Sequence, residues 1–429
     1  MVERRKPIWV KDAIENVMKY KKHGDIELIS LDDCDGRFLA EPLVADHDVP
    51  PFDRSPYDGF ALRAKDTKNA SRENPLTFKV IDEIGAGQVS PFKVGNMEAI
   101  RIMTGAQIPK GADCVMMLEL TKEEKGSEGT SISIKRSLNE GDNISFQGED
   151  TKKGSPLINR GAAINPGIKA LLATFGYSKV KVSSSPFIGI IATGSELLNP
   201  DEDLVPGKIR NSNGYMIESQ ILRVGARYKR YGSISDNIDK LTEMIKQAID
   251  ECDVLITTGG VSVGDYDYLP EIYRRLGANL LFNKIAMRPG SVTSCAEKDG
   301  KLLFGLSGNP SACYIGFELF VRPYIRYWLR SEQPFLRIIS GTLKNDFPKP
   351  NPFSRFVRGK IVYENGQVFV EPVGLDKSGV VTSLAWADCL IILPGGTRGY
   401  MKGDHVELFL LDDQQGSDEP WVEAKFSKL

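Results

Sequence analysis

Four short apolar runs alternate with four stretches of helical periodicity between residues 187 and 328, and no other feature of the chain constrains its fold as strongly. The apolar runs cover 187–192, 253–258, 281–287 and 302–306, and the helical stretches cover 213–223, 236–250, 268–276 and 310–328. Alternation of this kind predicts a parallel sheet with helices on both faces. Since ligands bind beyond the carboxyl ends of such strands, the loops after the apolar runs are the expected position of a functional site.

The segments on either side have other patterns, so several domains are expected in a chain of 429 residues. Helical spacing predicts an amphipathic helix near residues 10–18 and a second short helix that has Pro166 in its first turn and Gly176 just past its end. Short apolar runs separated by turn residues predict β structure elsewhere. The predicted domains are a discontinuous domain of 1–47 and 154–185, a β-rich inserted domain of 48–153, an α/β domain of 186–330, a small all-β domain of 335–412 and a loosely held polar tail of 413–429.

The composition excludes several classes of protein. A formal net charge of −2 gives no reason to expect a nucleic acid or a membrane surface as a partner. The chain has no apolar run as long as a membrane span and no signal-peptide pattern at its start, which predicts a cytoplasmic protein. Six scattered cysteines without a CxxC pair favour reduced thiols, and three histidines are too few for a histidine-rich metal centre.

Glycines and small polar residues follow three of the apolar runs. After the second run, Gly259 and Gly260 allow a sharp turn that brings backbone N–H groups close to a ligand such as a phosphate. After the fourth run, Asn309 is placed to cap a helix that begins at Pro310, and a helix N-terminus attracts anions. The first run is followed by small donors and one carboxylate, namely Thr193, Gly194, Ser195 and Glu196. These loops predict one site for a phosphate-bearing ligand.

Carboxylates in the same loops would repel a phosphate unless a cation lies between them. Asp236, Asp265 and Asp267 stand at predicted strand ends or helix starts, and magnesium commonly binds one or two carboxylates together with phosphate oxygens. A magnesium site is therefore predicted. Taken alone, Asp236 is equally consistent with a helix N-cap, and Asp265 is better explained as a turn residue. For Asp267, which closely follows the double glycine, the ligand role is favoured.

Two basic residues accompany the third apolar run, Lys284 within it and Arg288 directly after it. Lys284 and Arg288 are suited to bind an oxyanion, although solvated surface charge explains them equally well when they are taken alone. The sequence contains no GxxxxGK[ST] motif and no GxGxxG motif in a nucleotide-binding context, which excludes a P-loop NTPase and a Rossmann dinucleotide site.

Several motifs occur in the order found in one enzyme family. They are "PPFDRSPYDGFALRAKD" (50–66), "IRIMTGAQIP" (100–109), "GED" (148–150), "TGSEL" (193–197), "TTGGVSVGDYDY" (257–268), "AMRPGS" (286–291) and "SGNPSA" (307–312). Together they resemble the molybdenum insertase family, MoeA and the gephyrin E domain, over nearly the whole chain. The resemblance implies a four-domain α/β and β protein with a molybdopterin-binding α/β domain of parallel sheet, a β-rich inserted domain and a C-terminal β-barrel.

The resemblance also implies an activity and its partners. Molybdate would be joined to the dithiolene of adenylylated molybdopterin, with Mg²⁺-dependent cleavage of the pyrophosphate bond and release of AMP to give the molybdenum cofactor. The family is homodimeric, with an active site between the α/β domain of one subunit and elements of the other. Other enzymes of molybdenum-cofactor synthesis and apo-molybdoenzymes are implied as further partners.

Family residues can be carried over position by position. Asp58, Thr104 and Asp150 match polar residues of the family's cleft, while Glu196, Asp236 and Asp267 match its catalytic and metal-side carboxylates. Pro310 matches the proline of its "GNP" turn. Arg355 and Ser378 are added from the β-barrel. Asp58 is also consistent with a turn cap, and Thr104 with a hydroxyl satisfied by the backbone.

Three positions depart from the family pattern. Arg288 stands where a lysine is common, Ser291 replaces a second lysine, and Ser307 stands where a proline is frequent. The molybdate contacts are therefore expected to differ in detail.

Two other functions fit parts of the pattern. The TGSE and TTGG loops also resemble those of molybdopterin adenylyltransferases, but these are usually single-domain proteins, and the additional domains favour insertion. A scaffold protein on the same fold, as the gephyrin E domain illustrates, would need no magnesium carboxylates and would tolerate the loss of Glu196 and Asp267.

Overall fold

The computed structural model describes residues 6–127, 129–234, 237–260, 268–411 and 416–421, and the side chains of 233 and 234 are not included. The chain divides into two compact units, a larger one of Met1–Glu41, Asn159–Ala173 and Tyr177–Leu429 and a smaller one of Pro42–Ile158 and Thr174–Gly176. The four-domain boundaries stay a prediction. Within the described residues, no helix combines the length and apolar character needed to cross a lipid bilayer.

Helices and strands alternate with many turns along the chain. In the described residues the α-helices are α1 (Val10–Met18), α2 (Ala64–Thr67), α3 (Pro166–Thr174), α4 (Asn213–Arg223), α5 (Ile238–Glu251), α6 (Leu269–Arg275), α7 (Pro310–Gly316) and α8 (Arg322–Trp328). The strands are β1 (Ile26–Ser30), β2 (Leu43–Val44), β3 (Gly59–Leu62), β4 (Leu76–Ile84), β5 (Glu98–Ile102), β6 (Cys114–Met117), β7 (Thr121–Gly126), β8 (Gly129–Ile134), β9 (Pro156–Ile158), β10 (Lys179–Ser183), β11 (Phe187–Thr193), β12 (Leu197–Leu198), β13 (Ile209–Arg210), β14 (Arg227–Ile234), β15 (Val254–Thr258), β16 (Asn279–Phe282), β17 (Met287–Arg288), β18 (Ser294–Lys298), β19 (Lys301–Leu306), β20 (Ile338–Leu343), β21 (Ser354–Glu364), β22 (Gln367–Pro372), β23 (Cys389–Leu393) and β24 (His405–Leu410).

The predicted parallel sheet is present in the larger unit, with the strand order β14-β11-β15-β19-β18-β16. The first four strands are parallel, which confirms the α/β prediction, but β18 and β16 add an antiparallel edge. The prediction of one strand over 281–287 is wrong, because β16 ends at Phe282 and the later residues Met287 and Arg288 pair with β21. Strands β14 and β18 were not predicted.

Helices cover both faces of this sheet, as predicted. On one face, Ile188, Ile190 and Ile256 of the sheet pack against α4 and the helical segment 310–328. The opposite face has Ile191 and Leu255, which pack against α5 and α6. Successive side chains of a strand point to opposite faces, so both faces of a buried strand must be apolar. This requirement explains the continuous apolar runs of β11 and β15.

Helix α1 and the long helical segment after β19 pack on the first of these faces. The buried side of α1 is formed by Val10, Ala13, Ile14 and Val17, in agreement with the predicted amphipathic helix. Helices α7 and α8 are joined by a π-helical turn, Phe317–Val321, so residues 310–328 form one continuous helical segment. The predicted helix after Pro166 is also confirmed as α3, and Gly176 follows it with a φ of +74°.

A closed five-stranded barrel follows the α/β region in the same unit. Its order is β21-β22-β20-β24-β23, and β23 pairs again with β21, so no edge remains between these strands. The prediction of a loosely held tail is wrong for Trp421. This side chain is 4% exposed, packs against Phe356 and Phe409, and donates a hydrogen bond from Nε1 to Glu407 at 2.8 Å. A large aromatic ring in a polar segment thus covers apolar barrel surface.

The smaller unit is β-rich, as predicted. Its main sheet has the order β6-β3-β5-β4-β8-β7, in which β4 and β5 are the parallel pair. Phe60, Phe78 and Met116 are fully buried at its centre. All six cysteines of the chain are free and buried, which agrees with the prediction of reduced thiols.

Candidate functional site

A cleft of about 890 Å³ lies at the carboxyl ends of the parallel strands of the larger unit. This volume is within the range of small-molecule sites. Its lining combines the ends of β11, β15 and β19 with the start of α7 and with a barrel turn that follows β22. The predicted residues in the lining are Thr193, Gly194, Glu196, Gly259, Gly260, Arg288, Ser291, Ser307, Asn309, Pro310, Arg355 and Ser378. The structure thus brings most of the predicted ligand-binding residues together.

The double glycine after β15 forms the floor of the cleft. Gly259 and Gly260 have φ values of +85° and +66°, which favour glycine. A Cβ atom on Gly259 would lie 2.4 Å from the carbonyl oxygen of Thr193. The Thr193 hydroxyl donates a hydrogen bond to the Thr258 carbonyl at 3.1 Å, so the loops after β11 and β15 are in direct contact. Glycine at 259 is therefore required by both backbone conformation and space.

The loop between β19 and α7 forms a second wall. The Ser307 hydroxyl accepts a hydrogen bond from the Asn309 backbone N–H at 3.2 Å. The Asn213 side chain, which is 7% exposed, donates to the Gly308 carbonyl at 2.8 Å. Asn309 occupies the N-cap position, but its side chain makes no capping hydrogen bond. The prediction of side-chain capping by Asn309 is therefore wrong, although the predicted helix start at Pro310 is confirmed.

A turn of the barrel, residues 376–379, closes the cleft on its third side. The N–H of Ser311 donates to the Ser378 carbonyl at 3.0 Å, and its hydroxyl donates to the Val380 carbonyl at 2.6 Å. The first N–H groups of a helix have no partner within the helix, so the barrel turn satisfies one of them. These bonds attach the barrel to the start of α7.

The same turn is held from inside the barrel by Arg358. This side chain is 1% exposed and donates hydrogen bonds to the Ser383 hydroxyl at 2.6 Å and to the Leu375 carbonyl at 2.7 Å. Its burial lowers the pKa of the guanidinium. A buried cation without hydrogen bonds would be strongly destabilising, so Nε and Nη2 are directed at oxygens of residues that flank the turn, while Nη1 has no partner among the described residues.

The charged side chains of the lining are mostly cationic. Arg288 and Lys377 are exposed and form no ion pair with any described residue, and Arg210 donates to the Glu202 carbonyl at 3.0 Å. Glu196 is an exposed carboxylate in the same cleft. Glycine turns, small hydroxyls and unpaired cations together suit an anionic ligand with tetrahedral oxygens.

Two predicted residues lie elsewhere. Ser195 is exposed and its carbonyl accepts a hydrogen bond from Lys208, so it does not line the cleft. Lys284 is also absent from the lining, because the backbone around it pairs with Ile8 ahead of α1, where the Lys284 carbonyl accepts from the Ile8 N–H at 3.1 Å. The sequence placed Lys284 after a parallel strand, whereas it follows the antiparallel edge strand β16.

Three of the predicted carboxylates, Asp236, Asp265 and Asp267, lie outside the described residues. The N-cap of α5 is Asn237, whose side chain accepts hydrogen bonds from the N–H groups of Asp239 and Lys240. In the part of the chain that is described, no three metal-ligating side chains form a cluster. Glu196 is thus the described member of the predicted magnesium set.

Asp58 and Thr104 are brought together in the smaller unit. One oxygen of Asp58 accepts hydrogen bonds from the N–H and the hydroxyl of Thr104. These two bonds, the N–H bond first, lower the pKa of the Asp58 carboxyl. Asp150 is exposed in the same unit and its N–H donates to the Val49 carbonyl at 3.0 Å. The Asp58 and Thr104 side chains thus satisfy each other, whereas the alternative reading of Thr104 expected a backbone partner for its hydroxyl. The part of both residues in chemistry stays a prediction.

Sequence reasoning missed several residues of the cleft. The lining also contains Asp376 and Lys377 of the barrel turn, Arg210 of β13, and Asn213 at the start of α4. The polar stretch "LDKSG" around Ser378 was the available signal. Its position opposite the α/β strands depends on long-range packing that a local pattern does not reveal.

Comparison with known proteins gives matches along the whole chain. Residues 8–176 match the MoeA N-terminal region (domains I and II), residues 189–327 a probable molybdopterin binding domain, and residues 340–411 the MoeA C-terminal region (domain IV). The molybdopterin molybdenumtransferase of Bacillus subtilis is 55% identical over 430 residues, with 100% of both chains covered. A protein of the same name from Staphylococcus epidermidis is 49% identical over 420 residues, which covers 97% of this chain and 99% of that one.

A solved structure has a similar fold. The molybdopterin biosynthesis MoeA protein of Pyrococcus horikoshii OT3 aligns with a TM-score of 0.80 and 32% sequence identity. The alignment covers 95% of this chain and 100% of that chain. The similarity in fold therefore extends over the β-rich, α/β and barrel regions.

Proposed function

Because the chain belongs to the MoeA family, we propose that it is a molybdopterin molybdenumtransferase, an enzyme that inserts molybdate into adenylylated molybdopterin. In the proposed reaction, molybdenum is bound by the dithiolene sulfurs, the pyrophosphate bond is cleaved with the help of Mg²⁺, and AMP is released with formation of the molybdenum cofactor. We further propose that the enzyme is a cytoplasmic homodimer. Other enzymes of cofactor synthesis and apo-molybdoenzymes are its proposed partners.

The cleft at the strand ends is the observation that carries this proposal. Its volume of about 890 Å³ is suited to a nucleotide-linked pterin rather than to an oxyanion alone. Gly259 and Gly260 have no side chains, so a ligand can approach their backbone N–H groups closely, and Arg288 and Lys377 supply positive charge. Cleavage of a phosphoanhydride depends mainly on charge neutralisation and alignment, which such a lining favours.

Magnesium is the proposed metal cofactor. Glu196, Asp236 and Asp267 would hold it, and Glu196 supports this assignment because its exposed carboxylate lines the cleft without a hydrogen bond or ion pair to any described residue. A bound Mg²⁺ would neutralise charge that develops on the pyrophosphate oxygens. The carboxylates would fix the position of the phosphates relative to Arg288.

Molybdate is the second proposed substrate. Arg288, Ser291 and Ser307 are proposed to bind this tetrahedral dianion, with the guanidinium and the hydroxyls as hydrogen-bond donors. Asp58, Thr104 and Asp150 are proposed to act in the same reaction through their match to the family. The full-length similarity to molybdenumtransferases favours this activity over a molybdopterin adenylyltransferase, and the cationic cleft favours it over a scaffold.

AMP release measures the proposed reaction directly. Purified protein is mixed with adenylylated molybdopterin, molybdate and magnesium, and AMP is quantified over time. Glu196→Gln and Asp267→Asn are expected to fold and bind adenylylated molybdopterin but to fail in AMP release, because each lacks one of the carboxylates proposed to hold magnesium.

Two exposed carboxylates on α5 provide charge-matched controls. Glu243→Gln and Asp250→Asn make the same two chemical changes, each removing one negative charge, at positions away from the cleft. Both variants should release AMP at the wild-type rate. Unimpaired release by both Glu196→Gln and Asp267→Asn would contradict the assigned site. Lack of AMP release by the wild-type protein would contradict the proposed function itself.

A further inference from the structure

We propose that Asp376 and Asn351 are positioning residues that hold the Arg355 guanidinium beside Arg288, so that two arginines together bind the tetrahedral oxyanion. This inference deepens the proposed function and rests on it for the identity of the anion, which is molybdate. The site is the part of the cleft where the α/β region meets the barrel.

The backbone places the two arginines side by side. Strand β17 pairs in parallel with β21, and the register sets Arg288 directly opposite Arg355. Residues opposite each other in a ladder project to the same face, where like charges repel. Both side chains line the cleft. An anion between them would convert this repulsion into attraction.

The two guanidinium groups differ in how they are held. Arg288 is exposed and makes no ion pair with a described residue, whereas the Arg355 side chain is 12% exposed and is fixed on two sides. Its Nε donates to Asn351 Oδ1 at 2.7 Å, and its Nη1 donates to Asp376 Oδ2 at 2.5 Å. Its Nη2 makes no hydrogen bond within the described residues. Two of the three guanidinium nitrogens of Arg355 are therefore held in place from different sides, and Nη2 remains available to a ligand.

The Asn351 backbone and the Asp376 carboxylate each have further partners. Asn351 is 1% exposed, its N–H donates to the Thr397 carbonyl at 3.0 Å, and its carbonyl accepts from the Gly396 N–H at 2.6 Å. The Asp376 side chain is 9% exposed, and the same Oδ2 also accepts from Lys349 Nζ at 3.2 Å. A guanidinium fixed before binding loses less side-chain entropy when it engages a ligand.

Asp376 is otherwise hard to reconcile with an anion site. A carboxylate in the lining repels an oxyanion, so electrostatics alone predicts that its removal strengthens anion binding. Positioning predicts the reverse, because Arg355 then keeps only the Asn351 contact and its guanidinium is less well fixed. The opposite signs make the two explanations separable by one substitution.

Titration calorimetry with molybdate tests the proposal on the full chain. Asp376→Ala is expected to weaken molybdate binding about tenfold, the size of one lost charge-assisted hydrogen bond. In the AMP-release assay the same variant should raise the KM for molybdate by a similar factor and leave kcat at saturating molybdate close to that of the wild type. A general structural defect would instead lower kcat.

Two further variants support the interpretation. Glu364→Ala breaks the 2.7 Å ion pair with Lys344, which also lies in the barrel but not in the cleft, and should leave molybdate affinity unchanged. Arg355→Lys keeps the charge but cannot form the two-sided contact, and should weaken binding about tenfold as well. This variant decides the question if Asp376→Ala does not fold.

The outcomes separate this inference from the proposed function. Unchanged or tighter molybdate binding by Asp376→Ala, or by Arg355→Lys when the former is unfolded, overturns the positioning role while the proposed activity stands. Wild-type protein that neither binds molybdate nor releases AMP overturns both.

Discussion

Asp58 accepts two hydrogen bonds from Thr104 through a single carboxylate oxygen, one from the backbone N–H at 2.7 Å and one from the hydroxyl at 2.9 Å. Both donors stabilise the ionised carboxylate, which explains the lowered pKa of Asp58. The residues come from distant motifs, "YDGFA" and "IMTGA", and the contact explains why both motifs present a short polar side chain at this point. A carboxylate held in this way is ionised at neutral pH.

Replacing the Thr104 hydroxyl should raise the Asp58 pKa. Thr104→Val keeps the N–H bond but removes the second donor, so the Asp58 pKa should move up toward its ordinary value of 3.8. A lowered native pKa stabilises the fold above the unfolded pKa, and this contribution is lost as the pH falls through the native pKa. NMR titration of the labelled Asp58 carboxyl carbon measures the shift. Thr104→Ser retains a hydroxyl, and an equal rise in that variant would show that the hydroxyl bond is not the cause.

The sequence predicted best those elements whose pattern is set by local contacts. The periodicity over 213–223 reproduces α4 residue for residue, because one face of that helix packs on the sheet along its whole length. The apolar run at 253–258 identified β15 because both faces of this strand are covered.

Other elements depend on partners far away in the chain. Strand β14, "RYKRYGSI", lies at the sheet edge and needs no continuous apolar run, so it was missed. The run 281–287 ends in residues that pair with the barrel, a partner that its own sequence does not identify. Asp376 was missed because its place in the cleft also depends on distant parts of the chain, whereas the glycines at 259 and 260 were found through their local turn chemistry.

Gly259→Ala should destabilise the larger unit and disrupt the cleft floor. A φ of +85° costs a non-glycine residue about 1–3 kcal/mol, and the new Cβ would also lie 2.4 Å from the Thr193 carbonyl oxygen. Gly300 is a matched control with a φ of +76° and nothing within 4 Å of its Cβ position. Urea unfolding should therefore show a larger loss of free energy for Gly259→Ala than for Gly300→Ala. Equal losses would mean that the Thr193 contact adds nothing.

Glu251 should make stability depend on pH in the acid range. Its carboxylate accepts hydrogen bonds from Lys229 at 2.5 Å, Gln247 at 2.9 Å and Tyr231 at 2.8 Å, and these lower its pKa to about 2, with the Lys229 bond as the largest cause. Because the native pKa lies below the ordinary value of 4.5, this stabilisation is complete above pH 4.5 and is lost as the pH falls toward about 2.

Glu251→Gln tests this sign by urea unfolding at a series of pH values. The variant should be less stable than the wild type at neutral pH, and the difference should shrink as the pH falls from 4.5 toward about 2. Glu243→Gln, on the same helix but exposed, should give a small difference that does not vary with pH. A stability gap for Glu251→Gln that stays constant over this range would contradict the lowered pKa.

The six thiols should be unreactive in the native protein. Burial raises the pKa of Cys114 to about 12 and that of Cys252 to about 11, and it raises the pKa values of Cys295, Cys313 and Cys389 as well. Since the thiolate is the reactive form, both low ionisation and lack of access protect these groups. Alkylation by iodoacetamide followed by mass spectrometry should label none of the six in the native protein near neutral pH and all of them in guanidinium chloride.

Because unfolded thiols ionise near pH 9 while the buried ones remain protonated, the free energy of unfolding should also fall as the pH rises above this value. Rapid labelling of one cysteine in the native state would instead locate a segment that opens without global unfolding.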